Sequence, residues 1–423
     1  MKSIQRYEYG RLLIDQEGFT KPYWDAFVKF NTLHENKYFD VLHNGLKFKQ
    51  YVGVIQVNGL LVQINPKADK NDPDENWKGV LLQMLKACNH LKAQSAGPAL
   101  VRKQNLNLLE VYFEYFLREV EGLIRQGLVK RYRKNSTNVK ALKGKLEFAQ
   151  HIQNNLIHKE RFFTSHQVYD KDHLLHQVLA LALEIVGHFS FGSVINDLCK
   201  RIQLNFPDVS KVHINEKILD SIQLNRKTAP YEKALELARL IILNYSPDIE
   251  QGKVKMLALL FDMNKLWEEF VLKQVRNACS NYDIEVEGQE SKDFWGNNSL
   301  RPDIVLRKGS KTYIIDTKWK RPSSNSASIN DLRQMYAYCR FWNAKKALLL
   351  YPGTKATNDF NEYETDDYSI VGGKVDSIEH SCKMGFVSVI KEGTNQLDDS
   401  IGQNILKLLE EEQLLKVYYK STY

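Results

Sequence analysis

The sequence predicts an α+β region over residues 1–245 and, after it, an α/β domain over residues 246–423 with a central mixed sheet flanked by helices. Three observations carry that expectation. The chain starts β-rich and then turns to segments of helical period. A polar stretch containing Pro and Gly, Asn244 to Gly252, breaks the apolar pattern. Beyond it, short strand signals alternate with helices. A length of 423 residues suits two or three domains at roughly 100 to 200 residues each.

Taken in order, residues 1–70 read as strands and turns. Gln50 to Pro66 holds two β-rich runs around Asn58-Gly59, a strong hairpin signal because both turn positions accept positive φ. Asp69 to Asn76 is a polar loop. Trp77 to Leu91 and Leu106 to Gly127 carry helical periodicity. A basic segment follows, with Lys130, Arg131, Arg133, Lys134, Lys140, Lys143 and Lys145 and no acid among them. It suits DNA phosphates or an acidic surface of a partner, and equally a solvated loop. His173 to Val186 and Pro230 to Leu243 read as further helices. A metal site can be drawn from Asp170, Asp172, His173 and His176, but a helix start with an acidic first turn accounts for the same letters. In the second domain a long helix is expected over Val254 to Ala278. Strands are expected over Ile284 to Glu287, Leu300 to Leu306, Thr312 to Trp319 and Ala347 to Tyr351, with a helix from Asn330 to Phe341 between the last two.

Composition narrows the function classes. Lys plus Arg is 59 against 51 for Asp plus Glu, a net charge of +8 that permits a polyanionic partner without demanding one. Hydrophobic residues at 43% and aromatics at 11% are enough to build cores, which excludes a disordered chain. No apolar run approaches the roughly 18 to 20 residues of a membrane span. Met1 to Arg11 carries charge early with no apolar run behind it, which argues against a secretory signal. Cys88, Cys199, Cys279, Cys339 and Cys382 are scattered and form no CxxC pair, so free thiols in a reducing cytoplasm are expected. There is no GxxxxGK[ST] loop and no GxGxxG. Any nucleotide hydrolysis in this system belongs to another chain.

The segment richest in chemistry is Leu300 to Arg321, LRPDIVLRKGSKTYIIDTKWKR. Gly309-Ser310 suits a two-residue type II′ turn. That turn pairs Lys308 with Lys311, Arg307 with Thr312, Leu306 with Tyr313, Val305 with Ile314 and Ile304 with Ile315. Asp303 then falls opposite Asp316, and Lys318 shares the face of Asp316. Like charges directly opposite in a sheet are destabilising and need compensation. A divalent cation supplies it, and oxygen ligands favour Mg²⁺. Lys318 is placed to orient and polarise the attacking water, so the constellation fits metal-assisted phosphodiester hydrolysis. An exposed hairpin with ordinary charges is the plain alternative. Pro302-Asp303 and Asp316-Thr317-Lys318, joined by this hairpin, match the PD-(D/E)xK nuclease motif. Gln334 and Tyr338 stand i, i+4 on one helix face, behind a Ser328–Asp331 capping box. They resemble the auxiliary motif that lines the DNA side in RecB-like nucleases, though such a pair also occurs on packing faces. Glu268 and Glu269, in the helix before the sheet, resemble the first-motif acid; a solvated helix face would explain either one. In KWKR, Lys320 and Arg321 sit beside the proposed metal site and suit phosphate contacts, though Lys320 could equally cap the strand end.

Over most of its length the chain resembles the McrC family, the nuclease subunits of McrBC-type modification-dependent restriction systems. The resemblance rests on DMNKLWEEFV, LRPDIVL, IIDTKWK and DLRQMYAY, and on the softer VGVIQVNGLLVQINPK, GLVKRYRKN, LKGKLEF and YDKDHLLHQVLALAL. It implies an N-terminal half that engages a McrB-like AAA+ GTPase and a C-terminal PD-(D/E)xK domain that cuts double-stranded DNA with Mg²⁺. In such systems the partner recognises modified cytosine in phage defence. Residue by residue, the resemblance implies Asp303, Asp316 and Glu268 as metal ligands, Lys318 as the catalytic lysine, and Gln334 and Tyr338 as the auxiliary pair. Many relatives carry Phe before the helix acid, where this chain has Trp267 followed by Glu268 and Glu269; the choice between the two acids stays open. Trp319 stands where relatives often have Tyr. Two rival readings remain: a non-catalytic subunit that activates a AAA+ partner, and a stand-alone RecB-like repair nuclease.

Overall fold

The computed structural model describes residues 2–57, 59–67, 77, 79–88, 90, 107–193, 195–246, 255–320, 322, 326–355, 357–364, 370–371, 374–375, 380–394 and 396–409. The expected loop at residues 69–76 and most of the stretch at 244–252 lie outside them. The chain forms two compact units. One is built from Met1–Gly53, Leu61–Lys92 and Leu260–Tyr423, the other from Val54–Leu60 and Ala93–Leu259. A single cut between residues 245 and 246 therefore does not describe the compact units. The physical reason is long-range bonding within the first unit: Met263 N donates to Gln50 O at 3.0 Å, and Leu397 N donates to Gln83 Oε1 at 3.0 Å. Local composition carries no signal of such pairings.

The first unit is organised around a six-stranded mixed sheet. Its order is Glu285–Gly288, Ile304–Lys308, Lys311–Thr317, Lys346–Pro352, Ser381–Val387 and Asn361–Glu362. The first three strands are joined antiparallel, the next two follow in parallel, and the last returns antiparallel. A parallel neighbour requires a crossover, and the helix Ile329–Trp342 supplies it between Lys311–Thr317 and Lys346–Pro352. This helix buries Met335, Tyr338, Cys339 and Trp342 against Val305, Ile314, Leu349 and Tyr351. Ser328 Oγ accepts from Asp331 N and starts it, as the cap signal predicts.

The expected long helix from Val254 begins later than its letters suggest. Met256–Asp262 is a strand, and the helix runs over Met263–Cys279. A short apolar run cannot by itself separate a buried strand from a helical turn. Asp262 decides the boundary: its side chain accepts from Asn264 N at 3.0 Å and caps the helix. Residues 1–70 also hold more than strands and turns. Lys21–Leu33 is a helix with Pro22 in its first turn, and Ala26, Phe27 and Phe30 form its buried stripe. It accompanies a small sheet of Arg11–Leu13, Gly45–Phe48 and Phe39–Leu42. Farther on, strands Tyr51–Val57 and Leu60–Asn65 flank Gly59, in agreement with the turn signal; Asn58 lies outside the described residues.

In the second unit, Asn107 and Glu110 form a reciprocal capping box that opens the helix Leu108–Gln126. Helices Leu174–Phe189 and Glu232–Leu243 follow the periodicity of the sequence. The basic segment is a loop only in part, around Lys140 and Lys143. Its first part is the strand Arg131–Val139, paired over nine residues with Phe162–Asp170. His173 and His176 are structural. His173 Nε2 donates to Val129 O at 2.9 Å and His176 Nδ1 donates to Lys171 O at 2.6 Å. His176 Nε2 then accepts from the Tyr231 hydroxyl at 2.9 Å, while that hydroxyl accepts from Val129 N at 3.0 Å. Asp172 is occupied by Ser210 and Gln177. All five cysteines are free and buried. Among the described residues no helix is long and apolar enough to cross a membrane.

Burial holds the fully enclosed His176 neutral, with a pKa lowered from 6.5 to about 4. The unfolded chain takes up this proton near pH 6.5 and the folded chain only near 4. The associated stability is therefore complete above pH 6.5 and is lost as pH falls toward 4. Between pH 6.5 and 5 the loss is on the order of 2 kcal/mol. Urea unfolding at the two pH values measures it, and His176→Gln should flatten the dependence. An unchanged acid sensitivity in that variant would refute the assignment.

Candidate active site

The hairpin register follows the turn. Ile304 pairs with Ile315, Val305 with Ile314, Leu306 with Tyr313, Arg307 with Thr312 and Lys308 with Lys311. Gly309 has φ +57°, the left-handed value that a turn of this kind needs. The ladder stops at Ile304, so Asp303 does not form a strand pair with Asp316. Instead Asp303 Oδ2 accepts from Thr317 N at 2.6 Å and from Thr317 Oγ1 at 2.9 Å. The Asp303 carbonyl accepts from Gln289 N at 2.9 Å. Asp303 is thus held by Thr317 rather than by a ladder pair, close enough for its charge to act on Asp316.

Asp316 is 2% exposed, at the end of Lys311–Thr317. Its Oδ2 lies 2.5 Å from Lys318 Nζ. Alternation along the strand puts both on one face, and Lys318 N continues the parallel pairing by donating to Leu350 O at 2.9 Å. Lys318 Nζ also donates to Gln334 Oε1 at 3.4 Å. Gln334 Nε2 donates to Tyr338 Oη at 2.7 Å, and Tyr338 Oη donates to Arg301 O at 3.1 Å. The i, i+4 pair on the crossover helix therefore links the lysine to the backbone two residues before Asp303.

Glu268 and Glu269 have different surroundings. Glu268 Oε2 accepts from Gln289 Nε2 at 3.0 Å. Glu268 lines an open cavity of about 340 Å³ with Asn264, Thr317, Lys318, Trp319, Lys320 and Asp331. Glu269 pairs with His90 at 2.8 Å. Glu268 feels the two aspartates. Burial first, then Asp303 and Asp316, raise its pKa to about 7. Burial and Asp303 raise Asp316 to about 6, against the opposing pull of Lys318. Burial also raises Asp303, although both Thr317 hydrogen bonds oppose it. Burial would lower Lys318, but Asp316 and Asp303 outweigh it, so its ammonium is held above the usual range.

Lys320 does not stand free, since its Nζ donates to Asp331 Oδ2 at 3.0 Å. Arg321 lies outside the described residues. Thr317 and Gln289 are the residues that sequence reasoning missed. Thr317 falls on the strand position that alternation turns away from Asp316 and Lys318. Gln289 lies outside every motif.

The donor set suits a hard cation. Glu268 suffers from the charge of Asp303 and Asp316, Asp316 suffers from that of Asp303, and Asp316 Oδ2 is buried with Lys318 as its counter-charge. Among the described residues no three His, Cys, Asp or Glu side chains form a ready-made metal cluster. A small divalent cation that keeps several waters needs only one or two carboxylates, and Asp303 with Asp316 meets that demand.

Comparison with known proteins agrees with the arrangement of elements. A family profile described as "McrBC 5-methylcytosine restriction system component" matches residues 46–352. The Escherichia coli (strain K12) protein named "Type IV methyl-directed restriction enzyme EcoKMcrBC" is 22% identical over 274 residues, covering 58% of this chain and 77% of that protein. A solved assembly of Thermococcus gammatolerans McrB AAA+ hexamers with bound McrC contains a chain that aligns with a TM-score of 0.68 at 20% identity, over 96% of this chain and 99% of its own. That alignment establishes a shared fold across nearly the whole sequence. With the profile spanning more than half of its residues, the chain belongs to the family of McrBC 5-methylcytosine restriction system components, as a McrC-type member.

Proposed function

We propose that this chain is the DNA endonuclease subunit of a McrBC-like restriction system, a Mg²⁺-dependent phosphodiester hydrolase with a PD-(D/E)xK domain. The observation that carries the reading is the convergence of Asp303, Asp316 and Lys318 at the end of one hairpin, with Glu268 near enough to sense both aspartates and lining a cavity with Lys318. The mixed sheet, the helix before it and the crossover helix behind Lys318 support the domain assignment.

Asp303, Asp316 and Glu268 would hold the cation. When bound, it supplies positive charge for the phosphate undergoing attack and acidifies water. Thr317 fixes one oxygen of Asp303 and leaves the other for the ligand. Lys318, held by Asp316 and Gln334, orients the attacking water and adds positive charge beside the phosphate. Gln334, half-buried, would face the DNA side, with its amide held by the buried Tyr338. Lys320 offers a phosphate contact on exchanging Asp331 for DNA, and Arg321 is assigned the same role. The partner is a McrB-like AAA+ GTPase that recognises modified cytosine. The solved relative pairs McrC with McrB AAA+ hexamers, and the sequence here has no nucleotide-binding loop of its own. Stimulation of that GTPase is the second role assigned to the chain.

With the partner, methylated DNA, GTP and Mg²⁺, the wild-type protein should cleave. Asp303→Asn and Asp316→Asn should each lower cleavage at least about a hundredfold, the scale of removing a charged group from a preorganised site. GTPase stimulation should persist in both. Wild-type cutting by both variants would sink the reading. In the chain alone, Mg²⁺ should raise the melting temperature of the wild type and leave both variants unmoved; equal shifts in all three would remove these residues from the metal site.

Lys318→Met tests the charge balance without metal. Asp316 sits above its ordinary value of 3.8, so the folded state is penalised as pH rises through about 6. Removing Lys318 deepens that penalty. The variant should lose on the order of 3 kcal/mol at pH 8 and much less at pH 5, where Asp316 is protonated in both proteins. Denaturant titration at the two values checks it, and a gap independent of pH would contradict the pairing.

A further inference from the structure

Glu8 follows the strand Lys2–Tyr7 and is 5% exposed. Its Oε1 accepts from Trp319 Nε1 at 2.7 Å and from Lys67 N at 2.9 Å. Its Oε2 is buried and, among the described residues, has no hydrogen-bond partner. Burying a carboxyl so incompletely matched is unfavourable. Burial pushes its pKa up to about 8, although both donors oppose the rise. A leucine would fill similar space without that cost. What Glu8 provides in its place is an acceptor for one backbone N–H and for one indole.

That indole belongs to the residue after Lys318. Trp319 is 3% exposed, and its ring meets Trp77 edge-on at 5.8 Å and Trp267 at 5.4 Å. Trp267 immediately precedes Glu268. Its own Nε1 is buried and has no hydrogen-bond partner among the described residues, so the contact between these two rings is oriented from the Trp319 side. A buried indole N–H ordinarily requires an acceptor, and Glu8 is the one Trp319 has. Through a single ring, the carboxyl reaches Lys318 along the chain and Glu268 by packing.

We infer that Glu8 is a positioning residue for the nuclease centre, anchoring the Trp319 indole so that Lys318 stays on Asp316 and Glu268 stays at the cavity. The inference rests on the endonuclease reading of the same site. Glu8 acts through Trp319 alone and has no part in the bond-breaking step.

The test compares Glu8→Gln, which keeps a carbonyl acceptor, with Glu8→Leu, which removes it, and with Trp319→Phe, which removes the donor. All are made in the full-length chain. Acetylation of Lys318 by acetic anhydride, followed by peptide mass spectrometry without metal, reads the position of the lysine independently of any cleavage. Lys318 should react at the wild-type rate in Glu8→Gln and at least about fivefold faster in the other two. In the assembled system kcat for DNA cleavage should fall about tenfold or more in Glu8→Leu and Trp319→Phe with KM nearly unchanged, the range seen when an orienting partner is removed. Glu8→Gln should stay within about twofold of wild type by the same reasoning. A folded Glu8→Leu protein with wild-type Lys318 reactivity overturns the inference, and so does a Glu8→Gln protein as impaired as Glu8→Leu. If Glu8→Leu does not fold, Trp319→Phe decides by the same measure. If Asp303→Asn and Asp316→Asn both cleave like the wild type, the endonuclease reading fails, while the acetylation rates continue to judge the anchoring.

Discussion

A carboxylate that is 2% exposed is tolerated when an opposite charge stands against it, and Asp316 has that charge in Lys318 at 2.5 Å. Much of the surrounding architecture follows from keeping this pair in place. Lys318 must leave the strand on the same side as Asp316, which period-two alternation ensures. Its backbone must stay paired beyond the strand, which Leu350 of the parallel neighbour provides. A parallel neighbour in turn demands a crossover, and the crossover helix brings Gln334 to the ammonium and Tyr338 to Arg301. The sheet order, the helix and the side-chain network are thus connected parts of one arrangement around a buried ion pair.

The same electrostatics separates two adjacent glutamates. Glu268 and Glu269 are neighbours in the sequence with identical side chains. One faces the aspartates and is raised to about 7; the other meets His90 at the protein surface. A step of one residue turns a side chain by about 100° around a helix, enough to move a carboxyl from a polar cavity to a surface ion pair. The helix phase is set at Asp262, whose cap fixes where the first turn begins.

Much of the site was legible in the sequence because its parts are local. A Gly-Ser turn sets a register, alternation joins Asp316 to Lys318, and i, i+4 spacing joins Gln334 to Tyr338. Each rule spans only a few residues, and each appears in the fold. The missing parts are those in which distance along the chain hides the partner. Trp319 and Glu8 lie 311 positions apart. The start of the helix at Met263 depends on a buried strand that reads equally well as a helical turn. The helix Lys21–Leu33 is amphipathic, but its surroundings are rich in turn signals. The compact units interleave along the chain, so a boundary sought in composition could not reveal them.

Gln289 performs three tasks with one residue. Its backbone is left-handed, with φ +55°. Its N–H holds the Asp303 carbonyl, and its side-chain amide holds Glu268. These demands conflict across the amino-acid alphabet. Glycine would adopt the backbone freely but has no amide to offer, while a β-branched residue resists that φ. Glutamate would reach Glu268 with the wrong charge. Asparagine tolerates the conformation well yet is one methylene short. Position 289 is therefore a narrow point in the sequence space open to this fold: drift there trades backbone comfort against the geometry of two acids, and relatives that abandon glutamine must alter the reach or the partner of the helix acid in the same step.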